Sequence, residues 1–214
     1  MHINFIEQRF NTFTNISVTT RKRLFDFLIA GLATILILTW LIPIVGLLIR
    51  LTSPGPILFL QWRTGINGKP FLCFKFRTMA HNPQDELFKQ TAFNDPRVTL
   101  IGHWLRKTNL DEFPQFINVL KGDMSIVGPR PHAIQHDIEF WNLLPNYHKR
   151  YRTLPGITGL AQIRGARGIA EDISNMKKRL KYDLIYIQNS SLQYDVQICW
   201  WTFKSMLFGD PNAW

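Results

Sequence analysis

From Phe27 to Ile49 the chain reads FLIAGLATILILTWLIPIVGLLI, 23 residues without a charge. Every helical face of such a run is apolar, and it exceeds the roughly 18 residues that mark a membrane segment. About twenty mostly polar residues precede it and no small-residue cleavage site follows, so the run reads as an anchor rather than a signal peptide. Both flanks are basic: Arg21, Lys22 and Arg23 stand before it, and Arg50, Arg63, Lys69, Lys75 and Arg77 follow. Lys and Arg favour the cytoplasmic side, so a single crossing would put one flank on the wrong face. Pro43, inside the run, removes a helix hydrogen bond and bends or breaks the helix. The pattern predicts a re-entrant segment, helix–break–helix, that enters and leaves by the cytoplasmic face.

Beyond it, turn-forming clusters come at short intervals: SPGP (53–56), GINGKP (65–70), VGPRP (127–131), LPGITG (154–159) and RGARG (164–168). ILFLQWR (57–63) and PFLCFKFRTM (70–79) read as two strands of a hairpin around Gly65, Asn67 and Gly68. Residues 80–94 are polar and mixed, which suits a loop or a short helix. Residues 97–121 are mainly helical in pattern with a break near Asn109, and Ile173 to Asn189 forms another helical stretch. Near the end, Val196, Cys199, Trp200, Phe203 and Leu207 recur at helical spacing while Ile198, Trp201 and Phe208 make the other face apolar too. Such a helix fits an ordinary core or the lipid headgroup boundary, where tryptophans collect. The fold class expected is α+β, mostly helical, with short strands and interfacial helices. Three parts follow: an arm over 1–20, the membrane segment over 21–52, and a compact domain over 53–214 facing the cytosol.

Charge narrows the partners. Lys and Arg number 25 against 15 acids, a formal net charge of +10. That balance points to nucleic acid, phosphorylated small molecules or an anionic membrane surface, and the membrane segment tells against nucleic acid. The two cysteines, Cys73 and Cys199, have no metal-ligand spacing, and no disulfide framework is expected.

Against this basic background Asp111 and Glu112 stand side by side in TNLDEFPQF (108–116). Pro114 suits a first helical turn, so a helix starting near Asp111 and running to about Leu120 is expected, with the two acids at its N-terminal end. They could simply cap that helix and complement its dipole. They could also be a reacting centre, because Arg97, Arg106, Lys107, Lys121 and Arg130 crowd the vicinity in sequence. Arg130 lies between Pro129 and Pro131, whose fixed φ restricts where its guanidinium points, and a restricted Arg suits bidentate phosphate binding. A depressed pKa would keep the aspartate ionised for attack on phosphorus, with its neighbour helping to hold Mg²⁺.

The ordered series KRLFDF, LTSPGPILFLQWRTGINGKPFLCFKFRTM, DPRVTLIGHWLRKTNLDEFPQFINVLKGDMSIVGPRP and PGITGLAQIRGARG resembles the bacterial sugar transferases, the polyprenyl monotopic phosphoglycosyl transferases. The resemblance runs from Lys22 to about Leu207. It implies that Asp111 is a nucleophile on the β-phosphate of a UDP-sugar, releasing UMP and leaving a phosphosugar on the enzyme. Polyprenyl phosphate, undecaprenyl phosphate in most bacteria, then displaces the aspartate. It implies further that Glu112 is the partner carboxylate, that Asp111 and Glu112 hold Mg²⁺, and that Arg130 binds phosphate. By the same resemblance Arg63, Lys75 and Arg77 fall in basic motifs that bind substrate, Arg167 faces the nucleotide, and the protein sits in the bacterial inner membrane with its domain facing the cytoplasm. Relatives carry Ser-Pro at the break of the membrane helix. This chain has Thr39-Trp40 there and Pro43 three residues on, so the break is expected between Thr39 and Pro43.

Other signals carry less. His132 and His136 are four apart but lack a third metal ligand, which favours ordinary, partly exposed histidines. Asp123 suits either a second acidic role or a turn, and Asp183 and Asp195 suit surface or structural roles. The rival reading is a membrane-anchored basic module that binds anionic lipid or recruits enzymes without catalysis. Which sugar is carried, and whether the chain forms a homo-oligomer, the sequence leaves open.

Overall fold

A computed structural model describes residues 18–80, 95–166 and 173–208. The N-terminal arm up to residue 17, residues 81–94 and Arg167 lie outside the described residues. Helix α1 (Thr20–Ala33), a π-helical turn (Thr34–Leu38) and α2 (Thr39–Thr52) form one helix of 33 residues. The hairpin β1 (Leu58–Thr64) and β2 (Pro70–Phe76) follows, then α3 (Leu100–Lys107), a 3₁₀ turn (Leu110–Glu112), α4 (Gln115–Lys121) and β3 (Ser125–Val127). The remainder is α5 (Ile134–Leu143), a 3₁₀ turn (Tyr147–Arg152), β4 (Gly156–Thr158), α6 (Leu160–Ile163), α7 (Ile173–Gln188) and α8 (Leu192–Phe208).

The expected break between Thr39 and Pro43 is not there: the chain stays helical through Pro43 and departs from α geometry at Thr34–Leu38 instead. Proline cannot donate a hydrogen bond, and its ring crowds the carbonyl four residues back, so the strain is relieved by widening the preceding turn. The Thr39 hydroxyl donates to Ile35 O at 2.8 Å and the Trp40 indole N–H to Leu36 O at 2.7 Å, so both residues serve carbonyls of the widened turn.

One face of this long helix is buried against the rest of the molecule along its length. Ala30 joins Phe71, Val119, Met124 and Ile198, while Leu38, Leu41, Val45 and Ile49 pack with Phe76 and Leu105. The opposite face is bare: Ile35 is 69% and Leu51 74% exposed. Both ends are tied by polar groups. Lys22 Nζ donates to Asp195 Oδ2 at 2.7 Å and to Val127 O at 3.1 Å, and Arg23 Nη2 donates to Leu120 O at 3.1 Å. Asp26, fully buried, accepts from Ser125 Oγ and from Ile126 N–H. At the far end the buried Arg77 donates to Ser53 O at 2.6 Å and Pro54 O at 2.7 Å.

The hairpin forms as its alternation predicts, with Phe59 opposite Lys75 and Arg63 opposite Phe71. Asn67 and Gly68, both at positive φ, make the turn. Helix α3 opens on Thr99, whose hydroxyl accepts from Gly102 N–H at 3.0 Å. It stops at Asn109, the predicted break, which adopts the left-handed conformation that Asn tolerates. Asn118 of α4 is wholly buried and serves the open edge of β2, donating to Leu72 O at 2.7 Å and accepting from Phe74 N–H at 2.9 Å. That pairing docks the acidic turn beside the hairpin. Strands β3 and β4 pair in parallel, Ser125 with Gly156 and Val127 with Thr158, which lays VGPRP against LPGITG.

Helix α8 meets neither expectation alone. Ile198 and Asp195 are buried, whereas Trp200, Phe203 and Phe208 stand exposed on the other side. Among the described residues Arg164 lies over the Trp201 ring, while Trp200, Phe203 and Phe208 keep most of their apolar surface bare.

Candidate active site

Asp111 and Glu112 occupy the 3₁₀ turn before α4, which starts at Gln115 with Pro114 as its cap residue. The helix expected to begin near Asp111 therefore begins four residues later. Neither acid caps it: no side-chain capping hydrogen bond is present at either element. Asn109 and Pro114 explain the shift, the first reversing the chain and the second fixing where α geometry can start.

The two carboxylates differ sharply in surroundings. Glu112 receives Lys75 Nζ on Oε1 at 2.7 Å, and Arg130 grips both of its oxygens, Nη1 meeting Oε2 at 2.9 Å and Nη2 meeting Oε1. Such two-pronged, charge-assisted contacts are among the strongest a side chain makes. Burial opposes the charged form of Glu112, yet Arg130 and Lys75 hold it well below the usual carboxylate range. Glu112 in turn raises the guanidinium of Arg130 above its ordinary value. Asp111 accepts no hydrogen bond from the described residues. Burial pushes it up to about 6, Lys75 pulls it back and the charge on Glu112 adds to the rise. This reverses the sequence expectation of a depressed aspartate: the cations beside the pair are spent on Glu112, and Asp111 takes the desolvation.

Of the predicted site residues, Lys75 and Arg130 converge on Glu112. Arg106 also faces Asp111, its own pKa lowered by burial, and its Nε donates to Thr78 Oγ1 at 3.0 Å. Arg77 is held elsewhere, on Ser53 and Pro54 at the exit of the long helix. Arg63 binds Pro131 O with Nη1 and Gln61 Oε1 with Nη2. Arg167 is not among the described residues.

Sequence reasoning missed the layer behind Arg130. His132, expected to be partly exposed, is 6% exposed, with Nδ1 2.7 Å from Tyr147 Oη and 2.6 Å from Arg150 Nη1. Burial, then Arg150 and Arg179, drive its pKa well down. Arg150 Nη2 donates to Asp183 Oδ2 at 2.9 Å, and Asp137 accepts from Thr64, Tyr147 and Tyr151. Asp183 and Asp195 are thus structural and buried rather than on the surface. Asp123 takes a hydrogen bond from Asn118 Nδ2 at 3.2 Å and holds the turn after α4. Buried charges leave no periodic trace, and the only sequence signal was the basic–aromatic cluster HKRYR (148–152).

A carboxylate of raised pKa, Asp111, stands beside a second carboxylate that is paired with Lys75 and Arg130, an arrangement of charges suited to meeting phosphate groups. The sequence model described as bacterial sugar transferase matches residues 17–209, and the chain belongs to that family. It is 46% identical over 187 residues to the UDP-glucose:undecaprenyl-phosphate glucose-1-phosphate transferase of Escherichia coli (strain K12), covering 87% of this chain and 40% of that one. Identity is 45% over 199 residues to the transferase of the same name from Caulobacter vibrioides, covering 93% and 74% of the two chains. It is 45% over 190 residues to exopolysaccharide production protein PSS of Rhizobium leguminosarum bv. phaseoli, covering 87% and 94%. The chain thus spans 40% of the length of the Escherichia coli relative.

Proposed function

We propose that this chain moves a sugar 1-phosphate from a UDP-sugar to undecaprenyl phosphate, the first membrane step in building an exopolysaccharide or related glycoconjugate. The contrast between Asp111, up at about 6, and Glu112, locked down by Lys75 and Arg130, carries the reading. An oxygen of ionised Asp111 attacks the β-phosphorus, and the bond from that phosphorus to the oxygen bridging the α-phosphate breaks. UMP leaves with that oxygen. A phosphate oxygen of the lipid then attacks the same phosphorus, frees the Asp111 carboxylate and yields the lipid diphosphosugar. Charge on the diphosphate is met by Arg130 and Lys75, which Glu112 holds beside Asp111.

The donor set fits Mg²⁺ in one way. Asp111 offers a carboxylate with no donor on it, whereas both oxygens of Glu112 already bear cations. Asp111 would therefore hold the ion together with substrate phosphate oxygens, with Glu112 acting mainly on the cations. When bound, the ion supplies charge screening between nucleophile and diphosphate. Relatives named for UDP-glucose make that nucleotide the first donor to try.

The membrane reading gains support from the helix ties. A straight helix of this length reaches about 50 Å, while the hydrocarbon core is about 30 Å. Both ends and the middle are held by one domain, so a perpendicular crossing would drag charged parts of that domain into lipid. We favour a monotopic placement at the inner membrane in which the unbroken helix lies along one leaflet instead of turning back, with the bare faces of α1, α2 and α8 in the bilayer and the domain in the cytoplasm. Cysteines placed at Val18 and Ile66 should both label from the cytoplasmic side; labelling at residue 18 only from the opposite side overturns this.

Mixing the purified chain with UDP-glucose and no acceptor should release about one UMP per enzyme in a burst and add a hexose phosphate to the protein mass. Turnover should then require undecaprenyl phosphate. Lipid-dependent transfer without a burst or a mass increase would sink the covalent route.

A further inference from the structure

The loop that carries Arg130 is held at three successive carbonyls. Pro129 O accepts from Gly156 N–H at 2.9 Å, Arg130 O from Arg150 Nη2 at 2.7 Å, and Pro131 O from Arg63 Nη1 at 2.5 Å. Pro129 and Pro131 offer no N–H, and their rings set φ but leave ψ free. The direction of a carbonyl is set by ψ of its own residue. Fixing these carbonyls therefore removes the torsions that the prolines leave open, and with them the freedom of the Arg130 side chain. Arg150 can do this rigidly: it is 3% exposed, its Nε and Nη2 are anchored on Asp183 Oδ2, and its Nη1 lies against His132. Arg63 projects from β1, whose register also bridges Arg63 to Ala133 just beyond the loop.

We propose that Arg63 and Arg150 are positioning residues for Arg130: they clamp its loop through main-chain carbonyls and do not themselves bind the diphosphate. This gives Arg63 a different task from the phosphate contact that the resemblance implied. It rests on the reading of Arg130 as a phosphate ligand.

The test is a set of kinetic double-mutant cycles on the full chain in detergent or nanodiscs, scoring UMP release from UDP-glucose with undecaprenyl phosphate. R63K and R150K keep the charge but lose the planar fork, and each should lower kcat/KM about 10- to 100-fold. Combined with R130Q, either should fall within about 3-fold of R130Q alone, because aim no longer matters once the guanidinium is gone. Losses that multiply in the R63K/R130Q and R150K/R130Q doubles overturn the clamp and mark both as independent substrate contacts. R63K, at a half-buried position, decides the matter if buried R150K fails to fold, and wild-type kinetics in R63K also overturn it. A wild-type rate for R130Q instead fells the phosphate role of Arg130, and the clamp with it.

Discussion

Asp111→Asn is expected to abolish UMP release, by on the order of 10⁴-fold or more, because an amide cannot take the place of a carboxylate that must form a bond to phosphorus. The substitution is nearly isosteric, and the described residues donate no hydrogen bond to Asp111, so the variant should fold. Residual release above about 1% of wild type would remove Asp111 from the nucleophile's role. Its pKa of about 6 gives a second readout. The ionised form attacks, so the wild-type rate should climb as pH rises through about 6 and level off above about 7. A flat profile from pH 5 to 7 contradicts that environment. Stability should move the other way. Burial makes the folded chain hold this proton more tightly than an unfolded aspartate near 3.8, so ionisation costs stability as pH rises between those values. In chelator, Asp111→Asn should therefore melt higher than wild type above pH 6, by up to about 3 kcal/mol, with the difference vanishing near pH 4.

Gly128→Ala should be strongly destabilising. A Cβ there would lie 2.3 Å from Leu154 O and 2.9 Å from Gly156 N, both backbone atoms of the paired segment. No side chain can swing aside, so the parallel β3–β4 pair must separate. The expected cost is about 3 kcal/mol or more, a fall in Tm of roughly 6–12 °C for a chain this size. Arg130, two residues on, should lose its aim as well, so activity should fall further than the folded fraction. Gly31→Ala is the matched control, since its added methyl meets nothing within 4 Å. It should leave Tm unchanged or slightly raised. Equal melting of the two variants would mean the Gly128 contact is looser than the backbone spacing requires.

Much of the architecture was legible from periodicity. The uncharged run, the hairpin, the stop at Asn109 and the helix over Ile173–Gln188 follow from apolar spacing and from residues with restricted or permissive backbones, which act locally. The Asp111–Glu112 pair was legible too, though only as two acids among many cations.

What the chain order could not convey was which cation meets which acid. Sequence alone determined that an apolar segment with basic flanks is joined to a domain of fixed turns holding an Asp-Glu pair and an arginine between prolines, because charge count, hydropathy and proline φ need no tertiary context. Only the folded structure decided that Lys75 and Arg130 go to Glu112, that Asp111 is left to titrate near 6, and that Arg63, Arg77 and Arg150 spend their guanidinium groups on backbone carbonyls. Those outcomes depend on partners 18 to 68 positions away in the chain and on burial, both of which arise only when α4, the hairpin and the VGPRP loop are packed together.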